Sequence, residues 1–282
     1  MSASMTLVLP HPTLTDRADL SDPLSSALAE RDRDTLRMVE DAVRNRRIRL
    51  AYQPVLPAGN PVRPVFYEGL ARILDATGRP IPARDFIGAV EMHETGRVID
   101  SLSLELGLKA LNANPGIRLS VNMSARSIGY PRWMKTLEAG LLADPSLAHR
   151  LILEITESSA MLMPEVVGVF MADLQARGIR FALDDFGQGF TSFRYLRDFD
   201  FDILKIDGQF IGGIATDPDN QVLARALVSI AGHFGMLTVA ESVETGADAA
   251  WLAAAGVDCL QGFHYAAPAL RPEWADCGDR RT

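Results

Sequence analysis

Eight short runs of apolar, β-branched residues recur from Ile48 onward, most of them separated by stretches long enough for a helix. They are Arg49 to Val55, Val65 to Arg72, Ile117 to Ser124, Leu151 to Glu157, Ile179 to Phe186, Phe201 to Asp207, Leu237 to Ser242 and Cys259 to Tyr265. Between them, Arg84 to Leu111, Arg132 to Leu142, Pro164 to Arg177, Asn220 to Phe234 and Thr245 to Ala255 carry apolar positions at helical spacing. Strands alternating with helices build a parallel sheet. Eight strands over about 220 residues match a (β/α)8 barrel, although a doubly wound open sheet shows the same alternation. Between the first two runs lies only LPAGNPVRP, shorter than the dozen or more residues a parallel crossover needs. Its Gly59-Asn60 is turn chemistry, so a hairpin is expected there. The sequence thus predicts an α/β fold, a TIM-like barrel whose first strand runs antiparallel to its neighbour.

The ends of the chain read differently. Residues 1–30, rich in Ser, Thr, Asp and Pro, are expected to form a mobile leader. Residues 31–275 are expected to form the barrel domain, opening with an amphipathic helix over 31–46 that carries Leu36, Val39 and Val43, and 276–282 a short tail. The stretch Met5 to Leu9 is too short for a secretory core, and no segment approaches the roughly 18 uninterrupted apolar residues of a membrane span. With 28 basic against 36 acidic residues the net charge is −8, which argues against a binder of DNA or RNA polymers and against a basic membrane-surface helix. Two cysteines, Cys259 and Cys277, cannot build a disulfide framework or a multi-cysteine zinc site, so a reducing cytoplasm is expected.

In buried strands the informative residues are the polar ones. Glu68, Asn122, Glu154 with Glu157, Asp184 with Asp185, Lys205, Glu241 and Gln261 fall within or near the C-terminal halves of strands two to eight, the end where barrel active sites lie. Helix capping accounts for Glu157 or Asp185 taken singly, but not for Glu68, Glu154 and Glu241 inside apolar runs. So many carboxylates on one rim, with Lys205 and Arg72 as the cations among these positions, need a counter-charge. Oxygen-only donors from Asp, Glu and Asn suit Mg²⁺ or Mn²⁺, and the pair Asp184-Asp185 suits two ions. The implied chemistry is metal-assisted phosphoester hydrolysis, with a metal-dependent aldolase or enolase-type enzyme as the rival.

The motifs YEGLAR, VNMSA, LEITES, ALDDFGQGFTSF, LKID, AESVE and QGF occur in order between AYQPV at Ala51 and QGFHYAAP ending at Pro268. In these the chain resembles the EAL-domain cyclic-di-GMP phosphodiesterases of bacterial second-messenger signalling. The resemblance implies the barrel with a reversed first strand and hydrolysis of cyclic-di-GMP to linear pGpG with two Mg²⁺ or Mn²⁺ ions. It implies metal binding by Glu68, Asn122, Glu154, Asp184 and Asp185, with Lys205 contacting water or phosphate and Glu241 as base or metal partner. It further implies substrate contacts from Leu70, Arg72 and Gln261, a loop anchor at Glu157, and a homodimer. A domain that binds the dinucleotide without turnover, or a protein-interaction module, is the alternative. Three departures stand out: Gly69 replaces the family's Ala and gives a more flexible backbone, Gln188 replaces Thr, and Phe193 replaces Leu. Gly187 and Gly189 lack the third glycine of a dinucleotide fingerprint, with Ser192 in its place. The five histidines form no close pair, and Phe181, Phe186 and Phe190 read as core or loop packing.

Overall fold

The structure is a computed structural model that describes residues 23–187 and 193–275. Its strands are β1 (Ile48–Pro57), β2 (Phe66–Leu74), β3 (Pro80–Pro82), β4 (Leu119–Asn122), β5 (Leu151–Thr156), β6 (Arg180–Phe186), β7 (Ile203–Ile206), β8 (Leu237–Ala240) and β9 (Cys259–Leu260). They lie in the order β1-β9-β8-β7-β6-β5-β4-β2-β3, and a further pairing of β1 with β2 closes the ring, leaving β3 outside on the edge of β2. Strand β1 is antiparallel to both its neighbours, while β2 and β4 to β9 run parallel. The fold is therefore the expected barrel, since an open doubly wound sheet would leave β1 or β2 as a free edge.

The helices are α1 (Pro23–Arg44), α2 (Ile87–Val90), α3 (Glu94–Ala113), α4 (Pro131–Ala143), α5 (Glu157–Ala160), α6 (Pro164–Gln175), α7 (Phe193–Asp198), α8 (Pro218–His233) and α9 (Gly246–Ala254). Two differ from expectation. The helix expected over 31–46 begins at Pro23 and ends at Arg44, so residues 23–30 are helical. Residues 25–34 are exposed, so no apolar stripe marks this turn-out of the helix, and good helix formers such as Ala27, Leu28 and Glu30 carry it. The helical stretch expected from Arg84 is interrupted: a 3-10 turn at Ala83–Asp85 and the single turn α2 precede α3, which starts only after the extended His93. The rest of the expected leader, Cys277 and the tail, and Gln188, Gly189, Phe190 and Ser192 lie outside the described residues.

Side chains alternate across a strand with period two, and the barrel interior follows this rule in layers. Its apolar floor is Val55, Phe66, Ile152, Ala182, Ile203, Val239 and Cys259. Two residues further along the parallel strands come Glu68, Glu154, Asp184, Lys205, Glu241 and Gln261, a polar layer directly above that floor. Because β1 runs the other way, its contribution to the polar layer lies two residues before Val55, at Gln53. The intervening residues, including Leu119, Leu153, Phe181, Leu183 and Leu204, face the surrounding helices and form the main core.

A smaller core of Val39, Ala42, Ile48, Ile73, Phe86, Val90, Ile99 and Leu102 seats α1, α2 and α3 against β2 and so fixes one wall of the cleft above the polar layer. Gly69, flanked by Tyr52 and Val121 in the ladder, leaves no loose strand: an added methyl would lie 3.2 Å from Ser120 O and 3.3 Å from Leu50 Cδ1. Among the described residues no helix is long and apolar enough to cross a membrane.

Candidate active site

The polar layer opens into a cavity of about 700 Å³ lined by Glu68, Leu70, Arg72, Asn122, Asp184, Asp185, Glu241 and Gln261, among others. At its base sits Lys205, whose side chain is 1 % exposed. Its Nζ lies 2.7 Å from Glu241 Oε1, 2.8 Å from Glu154 Oε2, 2.8 Å from Asp184 Oδ1 and 3.4 Å from Glu68 Oε2. Glu68 is further held by Asn122 Nδ2, which donates to Oε1 at 3.0 Å, and by Gln261 Nε2, which donates to Oε2 at 2.6 Å. Gln261 Nε2 also donates to Gln53 Oε1 at 3.1 Å, tying the reversed strand into the same network.

Two adjacent aspartates reach one cavity because β6 departs from regular pleating. The register between β6 and β7 shifts between Leu183 and Phe186, and Asp185 takes a left-handed conformation with φ 54°. Such a bulge re-aims side chains that a flat strand would send to opposite faces. Ser242, immediately after Glu241, has φ 53° and turns the chain out of β8 in the same way. Both values are uncommon for residues with a side chain and cost of order 1 kcal/mol or more each. Gly187, with φ 100°, follows the pair, and its N–H donates to Glu157 Oε2 at 3.2 Å.

The charges in this cluster do not balance. Burial alone would push the Lys205 ammonium down, but Asp184, Glu154, Glu241 and Glu68 outweigh it and hold the group protonated well above the usual lysine range. Burial also pushes carboxyls up. For Glu68 the effect is overcome by Lys205 and by the bonds from Gln261 and Asn122, so its carboxyl lies below the ordinary value. For Glu154, burial and the charge of Glu68 prevail over Lys205 and raise it well above. Burial takes Glu241 to about 8, and burial with the charge of Asp184 takes Asp185 to about 6. The metal-free site therefore retains protons on part of its acid set near neutrality.

The arrangement fits divalent cations. One oxygen from each of Glu68, Glu154 and Asp184 lie within 4.8 Å of one another, and so do one from each of Asp184, Asp185 and Glu241, with Asp184 common to both groups. Glu154 Oε1 and Gln261 Oε1 are buried and accept no hydrogen bond. Asp184 Oδ1, although close to Lys205 Nζ, is not aligned to accept one. Oxygen donors without nitrogen or sulfur suit a hard ion such as Mg²⁺ or Mn²⁺.

Every site residue expected from the sequence lines this cavity or its base, except Glu157, which lies behind it against Gly187. Phe181 and Phe186 are buried in the core, as expected. Sequence reading missed Gln53, Arg84, Asp100 and Phe263, all of which line the cavity. Gln53 is, like the others, a polar residue inside an apolar strand, but on the reversed β1 it precedes the inward apolar residue Val55 instead of following it. Phe263 is 62 % exposed and follows Gln261 by two residues.

Comparison with known proteins places this geometry. Over 246 residues the chain is 31% identical to the bifunctional diguanylate cyclase/cyclic di-GMP phosphodiesterase MucR of Pseudomonas aeruginosa, covering 84% of this chain and 35% of MucR. It is 30% identical over 206 residues to the cyclic di-GMP phosphodiesterase PdeA of Borreliella burgdorferi, covering 72% of this chain and 31% of PdeA. The chain thus spans about a third of the length of these relatives. The solved MucR phosphodiesterase in complex with c-di-GMP superposes with a TM-score of 0.75 at 29% identity, covering 84% of this chain and 97% of that one. The FimX EAL domain of Xanthomonas citri in complex with c-diGMP superposes with a TM-score of 0.76 at 27% identity, covering 88% and 99%. The model of the EAL domain matches residues 36–268, and the chain belongs to the EAL domain family.

Proposed function

We propose that the protein is a phosphodiesterase that opens cyclic di-GMP to linear pGpG with two divalent cations, Mg²⁺ or Mn²⁺, in the bacterial cytoplasm. The observation that carries this reading is the pair of oxygen groups sharing Asp184 at the foot of a large cleft. Glu68, Asn122, Glu154 and Asp184 hold one ion, and Asp184, Asp185 and Glu241 hold the other. Bound there, such ions polarise a phosphoryl group and acidify a water molecule. Hydrolysis forms a P–O bond to the water oxygen and breaks the bond to a ribose O3′, which takes up a proton. The proton of the acidified water leaves to solvent through the open cleft, and Lys205 holds the acids, Glu241 among them, in place around the reacting phosphate.

The rest of the cleft suits a ligand with two phosphates and two purines. Arg72 and Arg84 bring guanidinium groups to a lining otherwise rich in acids, and Leu70 and Phe263 offer apolar surface to the bases. Relatives named as cyclic di-GMP phosphodiesterases, and the two neighbours solved with the dinucleotide, support this choice of substrate. The protein acts as a homodimer in this reading. Leu162 and Met163, in the link from α5 to α6, and Val166 and Val169 on α6 are exposed apolar residues directly after the α5 segment that bears Glu157. Sedimentation at micromolar concentration should give a dimer that Val166→Glu with Val169→Glu dissociates, and a monomeric wild type would reject this part.

Purified protein with cyclic di-GMP and Mg²⁺ should yield pGpG, resolved by chromatography, and EDTA should abolish turnover. Glu68→Ala or Asp184→Ala should lower kcat by about 10²-fold or more, the scale seen when an electrostatic contact to the reacting group is lost. Turnover within about threefold of wild type (roughly 0.6 kcal/mol) would remove that residue from the site. Dinucleotide binding with no product would make the protein a binding module.

The raised carboxyls also predict how stability responds to pH. Between the ordinary carboxyl range and about 6 for Asp185, or about 8 for Glu241, the folded state binds more protons than the unfolded chain. Stability of the metal-free protein contributed by these groups therefore falls as pH rises through that window. Lys205 stays protonated throughout it and adds no slope. A bound cation replaces the protons, so Mn²⁺ should raise Tm strongly at about pH 8 and only weakly at about pH 5.5. Differential scanning fluorimetry reads this directly, and a Tm increment independent of pH would contradict the assigned charge state.

A further inference from the structure

The turn that follows β7, a 3-10 element at Gly208–Phe210, touches Gly187, two residues after the strained Asp185, and Ser242, the strained residue after Glu241. On one side Gln209 Nε2 donates to Gly187 O at 2.8 Å. The same glycine donates its N–H to Glu157 Oε2, so its peptide groups are gripped from two elements, two residues after Asp185. The ring of Phe210 closes over this point, and a methyl added to Gly187 would lie 2.2 Å from Phe210 Cε2. On the other side Gly208 abuts Ser242, the residue after Glu241, and a methyl there would lie 2.6 Å from Ser242 Oγ. Gln209 is itself braced: its N–H donates to Asp207 Oδ1 at 2.8 Å, and its carbonyl accepts from Asn220 Nδ2 of α8 at 3.3 Å. One turn thus spans the two chain reversals, φ 54° at Asp185 and φ 53° at Ser242, that aim Asp185 and Glu241 at each other.

We infer that Gln209 is a positioning residue for the second cation, its side-chain amide fixing Gly187 and thereby the aim of Asp185 beside Glu241. The inference rests on the two-cation reading above. A peptide carbonyl released from this grip would let the left-handed turn at Asp185 relax toward more populated backbone angles, opening the second oxygen group while leaving Glu68, Asn122 and Glu154 untouched. Gln209 is exposed, so changing it disturbs little packing.

The test compares wild type with Gln209→Glu, which keeps size but loses the donor, and Gln209→Met, which loses the donor without adding charge. Mn²⁺ binding is followed by titration calorimetry, with hydrolysis of cyclic di-GMP measured across Mn²⁺ concentrations. Wild type should bind two ions. Both variants should keep one ion at wild-type affinity and hold the other about 10-fold or more weakly, in the range found for groups that support a metal ligand. Their kcat at limiting Mn²⁺ should fall in parallel and recover at high Mn²⁺, with KM for the dinucleotide unchanged. Unchanged affinity for both ions, or equal weakening of both with a lowered Tm, would overturn the assignment to Gln209 alone. A wild type that binds fewer than two ions would overturn the two-cation reading and this inference with it.

Discussion

A lysine ammonium in the middle of a protein barrel, surrounded by four carboxylates within 3.4 Å, is the interaction on which the site depends. Burying any one of these ions alone would cost several kcal/mol, and a buried carboxylate without a partner would simply take up a proton. Lys205 lets acids from β2, β5, β6 and the end of β8 occupy one layer of the interior, where a barrel core is ordinarily filled by branched aliphatic residues. One positive charge does not neutralise them all. Glu68 stays ionised because Asn122 and Gln261 add to the lysine, whereas Glu154 and Glu241 are pushed toward their neutral forms. The cluster is short of positive charge, and divalent cations held by its oxygens would correct that shortage.

The backbone supplies what the electrostatics require. Period-two alternation puts one polar residue from each parallel strand just above the apolar floor. At two places that rule is broken: the register shift and left-handed Asp185 bring a second aspartate into the same cavity, and left-handed Ser242 turns the chain sharply after Glu241. Close approaches secure the breaks. Gly262 passes so near Val243 that an added methyl would lie 2.1 Å from its carbonyl oxygen, which holds the end of β9, and so Gln261, against the exit of β8.

Much of this was legible in the sequence because the barrel repeats one physical rule. Runs such as LILEIT and FDILKID announce buried strands by their branched residues and betray the site by the acid or lysine within them. The short, turn-rich link between the first two strands gave the reversed β1. Residues that do not obey the rule stayed hidden. Gln53 escaped because β1 presents its polar residue before, not after, its inward apolar one. Arg84 and Asp100 come from the segment between β2 and β4, whose position over the barrel follows from packing of Phe86, Val90 and Ile99 and not from any local period. The N-terminal turns of α1 had no buried face to create a pattern.

Crystals of the protein soaked in Mn²⁺, with anomalous diffraction recorded at the manganese edge, test the central claim most directly. The account predicts two peaks, one coordinated by Glu68, Asn122, Glu154 and Asp184 and one by Asp184, Asp185 and Glu241, at about 2.0 to 2.3 Å from their oxygens as expected for small hard cations. Lys205 should remain at the base of the cluster beside them. A cluster without a peak at saturating Mn²⁺, or an ion bound only to acids outside it, would contradict the claim that the charge shortage around Lys205 is what the barrel is built to present.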